Sequence, residues 1–404
     1  MKGIVAGLDV GTHKVCALVG EIGDDRLNLI GCGVAPCTGL RKGVVVNIEA
    51  TVEAIRTALE EAQKSSGTRT GTIVAGVAGP HIRGLNSHGI VAVRGGEVNH
   101  RDVERVIDAA RAVAIPLDRQ VLHVLPQQFA VDDQEGVRNP IGMAGVRLEA
   151  QIHIITAAQS YEQNLTKCCE RAGVSPSELV FEPLAGAEAA LFPEERELGV
   201  ALLDIGGGTT DIVVFHGGAV MHTAVLPIGG SHVTNDIAAG LRTPVADAER
   251  LKISYGVATN MVVGRDDMVQ VPGVGGREPR LISRRLLGEI IGPRMEEIFA
   301  LVQRELERSG VAENLASGIV LVGGTALLEG TQELAERSFN LPVRRGLPIH
   351  LNGMPEDLMK PMYTTAAGLL LHAAAESLPG LNLARFGRWG RWRLRVSDWM
   401  REFF

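Results

Sequence analysis

The sequence predicts a two-lobed α/β protein with a small α+β domain inserted into its first lobe and an amphipathic helix at its end. Three observations carry this. A glycine-rich β-hairpin occurs twice, around Asp9 and around Asp204; alternating strand patterns fill the stretch between the two copies; and the last twenty residues differ in composition from everything before them.

Residues 3–9, 14–22 and 27–34 are β-rich and separated by Gly, Asp and Asn turns. Val52, Ile55, Leu59 and Ala62 then recur at helical spacing, and Gly67 marks the end of that helix. Between 83 and 158 the segments GIVAVRG, VLHVLPQQFAV and RLEAQIHIITA alternate as strands around one helix near 101–113, which reads as an inserted α+β domain. From Leu198 the opening order repeats: ALLDIGGGTTDIVVF, a turn at Gly217-Gly218, then AVMHTAVLPIGG. LDVGTHKVCALVG and LDIGGGTTDIVVF align without gaps, Asp9 on Asp204 and Gly11 on Gly206, so an internal duplication is expected. Two such halves facing one another make a cleft. Residues 281–308 read as a long helix leading to the strand GIVLVGG. The resulting division is 1–82 with 159–198 for the first lobe and 83–158 for the insertion. It gives 199–228 with 300–374 to the second lobe, 229–299 to that lobe's small subdomain, 375–385 to a linker and 386–404 to the terminal helix.

A chain of 404 residues is long enough for two to four domains. Its 49 glycines and only 4% aromatic residues suit a sheet-and-helix protein with many tight turns and ligand contacts made by backbone. The five cysteines, Cys16, Cys32, Cys37, Cys168 and Cys169, are odd in number and lack CxxC spacing, so neither a disulfide framework nor a zinc site is expected and a reducing cytoplasm is. A net charge of −7 argues against a general nucleic-acid partner. Asp9, His13 and Lys14 interrupt the apolar start, which therefore reads as strand-turn-strand and not as a signal peptide. No run of about eighteen apolar residues is present to span a bilayer.

The chemistry-bearing motifs are glycine turns at strand ends. In Asp9-Val10-Gly11-Thr12-His13-Lys14 a strand runs into a turn whose free N–H groups suit phosphate oxygens, and Asp9 is placed to hold Mg²⁺. An ordinary DxG hairpin would look the same. Asp204-Ile205-Gly206-Gly207-Gly208-Thr209-Thr210-Asp211 is more specific, because three successive glycines cost more entropy than a plain hairpin warrants. A side chain at Gly207 is expected to intrude on phosphate space. Gly323-Gly324-Thr325, after the strand Ile319–Val322, leaves room for a nucleoside against bare backbone, with a helix expected from Leu327. Glu249 and Lys252 share one helical face, either to bond ribose hydroxyls or as a solvated pair.

Order and spacing together resemble the ATPase superfamily of actin, the seventy-kilodalton chaperones and the sugar kinases. That resemblance implies an actin-like two-lobed fold with ATP and Mg²⁺ between the lobes. Phe181-Glu182-Pro183 with Ala185, Ala187, Ala189 and Ala190 is similar to the first interdomain helix, and Ala366-Ala367-Gly368 to the second. Asp204 and Glu182 are then the candidates for positioning metal and water; Glu182 reads equally as a structural pre-proline carboxylate. Within the superfamily, HVLPQQFAVDDQEGVRNPIGMAGVRLEAQIHIITA (123–157), LPIGGSHVTNDIA (226–238), VPGVGGREPRLISRRLLGEIIGPRMEEIF (271–299) and the Trp/Arg-rich end resemble the FtsA family of bacterial cell-division proteins. The family implies a protein that polymerises at the cytoplasmic face of the inner membrane at the division site. It implies tethering of the tubulin-like protein FtsZ through that partner's C-terminal peptide, and contact with later division proteins through the insertion. The basic stretch Arg277, Arg280, Arg284, Arg285 and Arg294 is either the receiver of that acidic peptide or a solvated helix face. An actin-like pilus-assembly ATPase and a small-molecule kinase of the same superfamily are the alternatives.

The tail holds all three tryptophans, and its six arginines against two acids give +4, leaving −11 for the rest. At 100° per residue Trp389, Trp392, Val396, Trp399, Met400, Phe403 and Phe404 share one arc, opposite Arg391, Arg395, Asp398, Arg401 and Glu402. About 24 Å of helix is too short to span a bilayer but suits one lying in the plane of an anionic membrane surface.

Overall fold

Two five-stranded sheets carry the duplication. A computed structural model describes residues 3–23, 26–264, 267–275 and 277–375; the tail arc from Trp389 to Phe404 and nearly all of the linker lie outside the described residues. The first sheet runs Leu27–Pro36, Lys14–Ile22, Gly3–Val10, Thr72–Val77, Glu178–Phe181, and the second Ala219–Leu226, Thr210–His216, Val200–Ile205, Ile319–Val322, Val343–Arg345. They correspond strand for strand. In each, the first three strands pair antiparallel and the last two join in parallel. Asp9 pairs with Cys16 and Asp204 with Asp211, each at the penultimate position of its strand, so the gapless alignment is a structural equivalence. The central strands are apolar up to the aspartate near the end of each because helices and neighbouring layers cover both faces; Val15 to Val19 and Val200 to Leu203 are fully buried.

The helix Ile48–Ser66 covers the first sheet. Asn47 caps it by accepting from the Ala50 N–H at 3.1 Å, Gly67 ends it in the left-handed conformation at φ 67°, and Val52, Ile55, Leu59 and Ala62 form its buried stripe.

The insertion is a four-stranded antiparallel sheet, Arg83–Ala92, Arg147–Ala158, Arg119–Val131, Gln134–Val137, covered by the helix His100–Arg111 with its own core of Val103, Val106, Ile107, Phe129 and Ile152. Its first strand starts at Arg83, six residues before the apolar run. Those polar residues join because they pair residue for residue with 151–156, a ladder that hydrophobic alternation does not report. The stretch expected as helix from 281 also differs. Leu281 to Ser283 belong to the strand Arg280–Ser283, paired with Met268–Val271, and the helix Arg284–Arg308 follows with Ser283 as its cap.

The chain crosses between lobes at Glu182–Ala190, where Phe181 and Pro183 set the start, and returns through Thr364–Ala375. His372 fastens the end of this second helix: its ring nitrogens lie 3.4 Å from Glu188 and 3.2 Å from Glu178. Burial opposes its charge, but the two carboxylates outweigh that and raise its pKa to about 10. A folded pKa above the unfolded value of about 6.5 means that the stabilisation is complete below pH 6.5 and is lost as pH rises through 10. His372→Gln should therefore cost stability on the order of a few kcal/mol at pH 6 and much less at pH 10, measured by urea unfolding of parent and variant. An equal cost at both pH values would show that the ring is neutral.

Candidate functional site

The two hairpins meet across a cavity of about 550 Å³ between the lobes. Each hairpin closes through its own backbone: Gly11 N–H bonds Lys14 O at 2.9 Å and Gly206 N–H bonds Thr209 O at 3.0 Å. Thr12 Oγ1 accepts from Gly43 N–H at 3.1 Å, which fixes the first turn against the following loop. Asp9, Gly11, Thr12, His13, Lys14, Glu182, Asp204, Gly206, Gly207, Gly208, Thr209, Glu249, Lys252, Gly323, Gly324 and Thr325, all expected from sequence, line this one cavity.

Among the cavity's carboxylates, those of Asp9, Glu182, Asp204 and Asp211 form one group with Lys14, whose Nζ is 2.9 Å from Asp9 Oδ2. Burial opposes the Lys14 charge, yet Asp9 keeps its pKa above the ordinary value. Thr365 Oγ1 donates to Asp204 Oδ2 at 2.8 Å, and Thr209 Oγ1 to Asp211 Oδ2 at 3.0 Å. Burial raises Asp204 to about 6, against the opposing bond from Thr365. Burial, then the charges of Asp9, Asp211 and Asp204, holds Glu182 well above its usual range, and burial with Asp204 does the same to Asp211. Asp211 Oδ1 is buried with no hydrogen-bond partner. Crowded carboxylates with an orphaned oxygen fit a cation. Among the described residues no three His, Cys, Asp or Glu side chains are arranged to hold one unaided, so oxygens of a bound ligand would have to share the task.

At the other end of the cavity Lys252 Nζ contacts Glu249 Oε2 at 2.7 Å, Thr234 Oγ1 at 2.9 Å and Gly230 O at 3.2 Å. Gly323, at φ 86°, turns the chain, and a Cβ on Gly324 would meet nothing within 4 Å. A single 3₁₀ turn, Gly324–Leu327, follows, and the helix expected from Leu327 begins at Thr331.

Three expectations are corrected. Thr210 does not line the cavity: its hydroxyl is buried and donates to Ile228 O at 2.9 Å, because strand alternation turns it into the lobe and turns Asp211 outward. A Cβ on Gly207 would face the His13 ring at 3.1 Å, not empty phosphate space; the imidazole crosses from the first lobe to Ser231 Oγ at 2.9 Å. Arg284 lines the cavity and pairs with Glu329 at 2.5 Å, so it is not part of a free basic face with the others. Arg285 reaches Val263 O at 3.4 Å, and Arg294 is occupied by Asp236 at 2.6 Å and by Glu297. Asp211, at the end of the glycine motif, is a cavity carboxylate that the motif alone gives no role, and nothing local in the sequence points to Thr365.

Two equivalent α/β lobes clasping a polar cavity between paired glycine hairpins define an actin-like protein. Solved structures agree on the fold. The chain is similar to one in the PilM–PilN type IV pilus biogenesis complex (TM-score 0.66, 20% identity, 91% of this chain and 98% of that one) and to MreB5 of Spiroplasma citri bound to ADP (TM-score 0.58, 16% identity, 94% and 99%). The family described as "Cell division protein FtsA" matches residues 201–368, and "SHS2 domain inserted in FTSA" matches 79–156. The cell division protein FtsA of Pseudomonas aeruginosa is 50% identical over 385 residues, 95% of this chain and 92% of that protein. The chain belongs to the FtsA family of cell-division proteins.

Proposed function

We propose that this chain binds ATP with Mg²⁺ in the interlobe cleft, polymerises on the cytoplasmic face of the inner membrane at the division site, tethers FtsZ there and recruits later division proteins through its insertion. The observation that carries the nucleotide reading is the cavity of about 550 Å³ lined by both glycine hairpins and by Gly323 and Gly324. The ADP-bound MreB5 relative in fold supports the same choice. Backbone N–H groups of the two hairpins and Lys14 would cradle the phosphates, Gly323, Gly324 and Thr325 the base, and Glu249 and Lys252 the ribose. Asp9 and Asp204 would hold Mg²⁺, whose contribution is to neutralise phosphate charge. Glu182, buried inside the cavity with burial and the neighbouring carboxylates holding its pKa above the usual range, is placed to orient a water, and among the described residues no second group stands ready beside it as a strong general base. Hydrolysis is therefore slow; a turnover near about 10 s⁻¹ without any partner would overturn the scaffold reading in favour of a kinase-like one. The direct test is titration of ATP into the chain by calorimetry, with and without Mg²⁺. No heat of binding in either condition would refute the cleft assignment.

The terminal segment 386–404 supplies the membrane tether. Each large apolar side chain of its Trp/Phe arc contributes roughly 1.5–3 kcal/mol when fully buried, and each arginine about 1 kcal/mol near an anionic leaflet. Ordering the helix costs about 1–2 kcal/mol per residue, so a single tail binds weakly and a filament binds firmly by avidity. Because all three tryptophans lie in the tail, anionic vesicles should shift the whole tryptophan emission to the blue, and Trp399→Glu should weaken pelleting without changing ATP affinity. Pelleting unchanged by truncation after Ala384 would exclude the tail as the anchor.

A further inference from the structure

The second lobe touches the insertion as well as the crossing helices. The strand Ala219–Leu226 is the edge of its sheet, and side chains from the insertion occupy that edge. Gln127 Nε2 donates to Val220 O at 2.8 Å, and Asn86 Nδ2 to Met221 O at 3.3 Å. Between them lies His153, 1% exposed, with Nδ1 2.6 Å from Asn86 Oδ1 and Nε2 2.8 Å from Thr223 Oγ1. The roles are fixed by chemistry. Asn86 Oδ1 can only accept, so Nδ1 carries the proton and Nε2 accepts from the Thr223 hydroxyl. Burial, and then nearby His222, depress the His153 pKa to about 3, so the ring stays neutral and this tautomer persists. Arg138 adds an ion pair to Glu197 in the connection between the lobes.

The register links this edge to the cleft. Thr223 pairs with Val213, and two residues further along, Val225 pairs with Asp211, whose carboxylate lines the cavity. Two steps of strand, about 6.6 Å, separate the docking point from the residue opposite Asp211. From Thr223 to Val225 the ladder runs without a register shift; the one it has lies on the other side, between His222 and Val220, where Gln127 and Asn86 bond, so the tie through Thr223 is the direct one.

We propose that His153, Asn86 and Gln127 are positioning residues for the cleft. By holding the edge strand Ala219–Leu226 they hold the second hairpin, with Thr209 and Asp211, in its closed setting against the first lobe. Conversely, a ligand that closes the cleft tightens the docking of the insertion. The proposal rests on the reading of the cleft as a nucleotide site and adds to it a route by which occupancy is reported to the domain carried between the lobes. Coupling of this kind is reciprocal: what ATP does to docking, docking must do to ATP affinity by the same factor.

The test uses the full chain. Thr223→Val removes the hydroxyl that donates to His153 Nε2 while keeping the side chain's shape, and Thr223→Ser restores the hydroxyl. Gln127→Ala, at a half-buried position, removes a second tie without touching the buried ring. ATP affinity, measured by calorimetry, should fall at least about fivefold in Thr223→Val, return to the parent value in Thr223→Ser, and fall by a smaller factor in Gln127→Ala. Hydrogen exchange supplies the readout that a merely structural role would not move. ATP should slow exchange of amides in 83–92 and 119–131 of the parent, and should do so less in Thr223→Val. A folded Thr223→Val chain with parental ATP affinity, or with parental ATP-dependent protection of those strands, overturns the proposal. A parent chain that binds no ATP overturns the cleft reading itself, and this proposal with it.

Discussion

Gly208→Val should weaken ATP binding about a hundredfold while Gly207→Val weakens it modestly, although the two residues are neighbours in one glycine run. A Cβ on Gly208 would lie 2.7 Å from both Lys42 Cα and Thr12 Oγ1 and 2.9 Å from Lys42 N. Those atoms belong to the first lobe and are mostly backbone, so a larger residue has to hold the lobes apart. The three atoms nearest a Cβ on Gly207 all belong to the His13 ring, at 3.1 to 3.3 Å, a side chain that can yield about its own torsions where backbone cannot. Overpacking of a rigid site costs roughly 1–3 kcal/mol; spent wholly on cleft closure, the upper end is about a hundredfold in affinity. Gly207→Val should lose less than about tenfold, near the lower end of the same range. One buried cluster spans both sheets, from Leu8 and Val15 to Val213 and Val320, so melting of both variants is recorded beside affinity to separate loss of fold from loss of closure. Calorimetric titration with ATP decides it. Equal affinities in the two variants would mean that the lobes need not approach this closely to hold nucleotide.

The contrast also marks what the sequence could carry. The duplication was legible because a strand ending in a glycine turn is a local pattern, and the two copies share their register as well as their residues. The helix Ile48–Ser66 was legible for a similar reason, since its stripe and both of its ends are written in adjacent residues. Facing was harder. The glycine run announced a close approach, but not that its third member meets the opposing lobe's backbone and its second a histidine. The motif holds both Thr210 and Asp211, but which of the two faces the cavity follows from the parity of the strand, whose first residue the sequence leaves unmarked. Long-range partners were out of reach altogether: Thr365 and Asp204 are 161 residues apart, and no local pattern ties them. Arg284 illustrates the same limit, since a cluster of arginines in sequence says nothing of which one turns into a cleft.

The other large effect is expected at Gly368, where the two interlobe helices cross. A Cβ there would stand 1.7 Å from Ala185 O and 2.3 Å from Ala185 C, so even alanine cannot be accommodated without separating backbones. The neighbourhood offers no slack. Ala366, Ala367, Leu369 and Leu370 are fully buried, and on its other side the same helix lies against the strand Gly3–Val10, where a Cβ on Gly7 would reach Leu370 N at 2.5 Å. Interiors packed to crystal-like density transmit such a displacement instead of absorbing it. Gly368→Val should therefore exceed the roughly 1–3 kcal/mol usual for overpacking and reach the range above about 4 kcal/mol that single substitutions rarely attain. Gly67→Ala separates collision from backbone strain: its φ is 67°, but nothing lies within 4 Å of the added Cβ, so only the left-handed conformation is penalised, by about 1–2 kcal/mol. Urea unfolding of Gly368→Ala, Gly368→Val and Gly67→Ala should rank them in the order Gly67→Ala, Gly368→Ala, Gly368→Val by increasing loss. If Gly368→Ala cost no more than Gly67→Ala, the crossing helices would be free to slide apart, and the lobes would turn on a loose joint instead of a tight one.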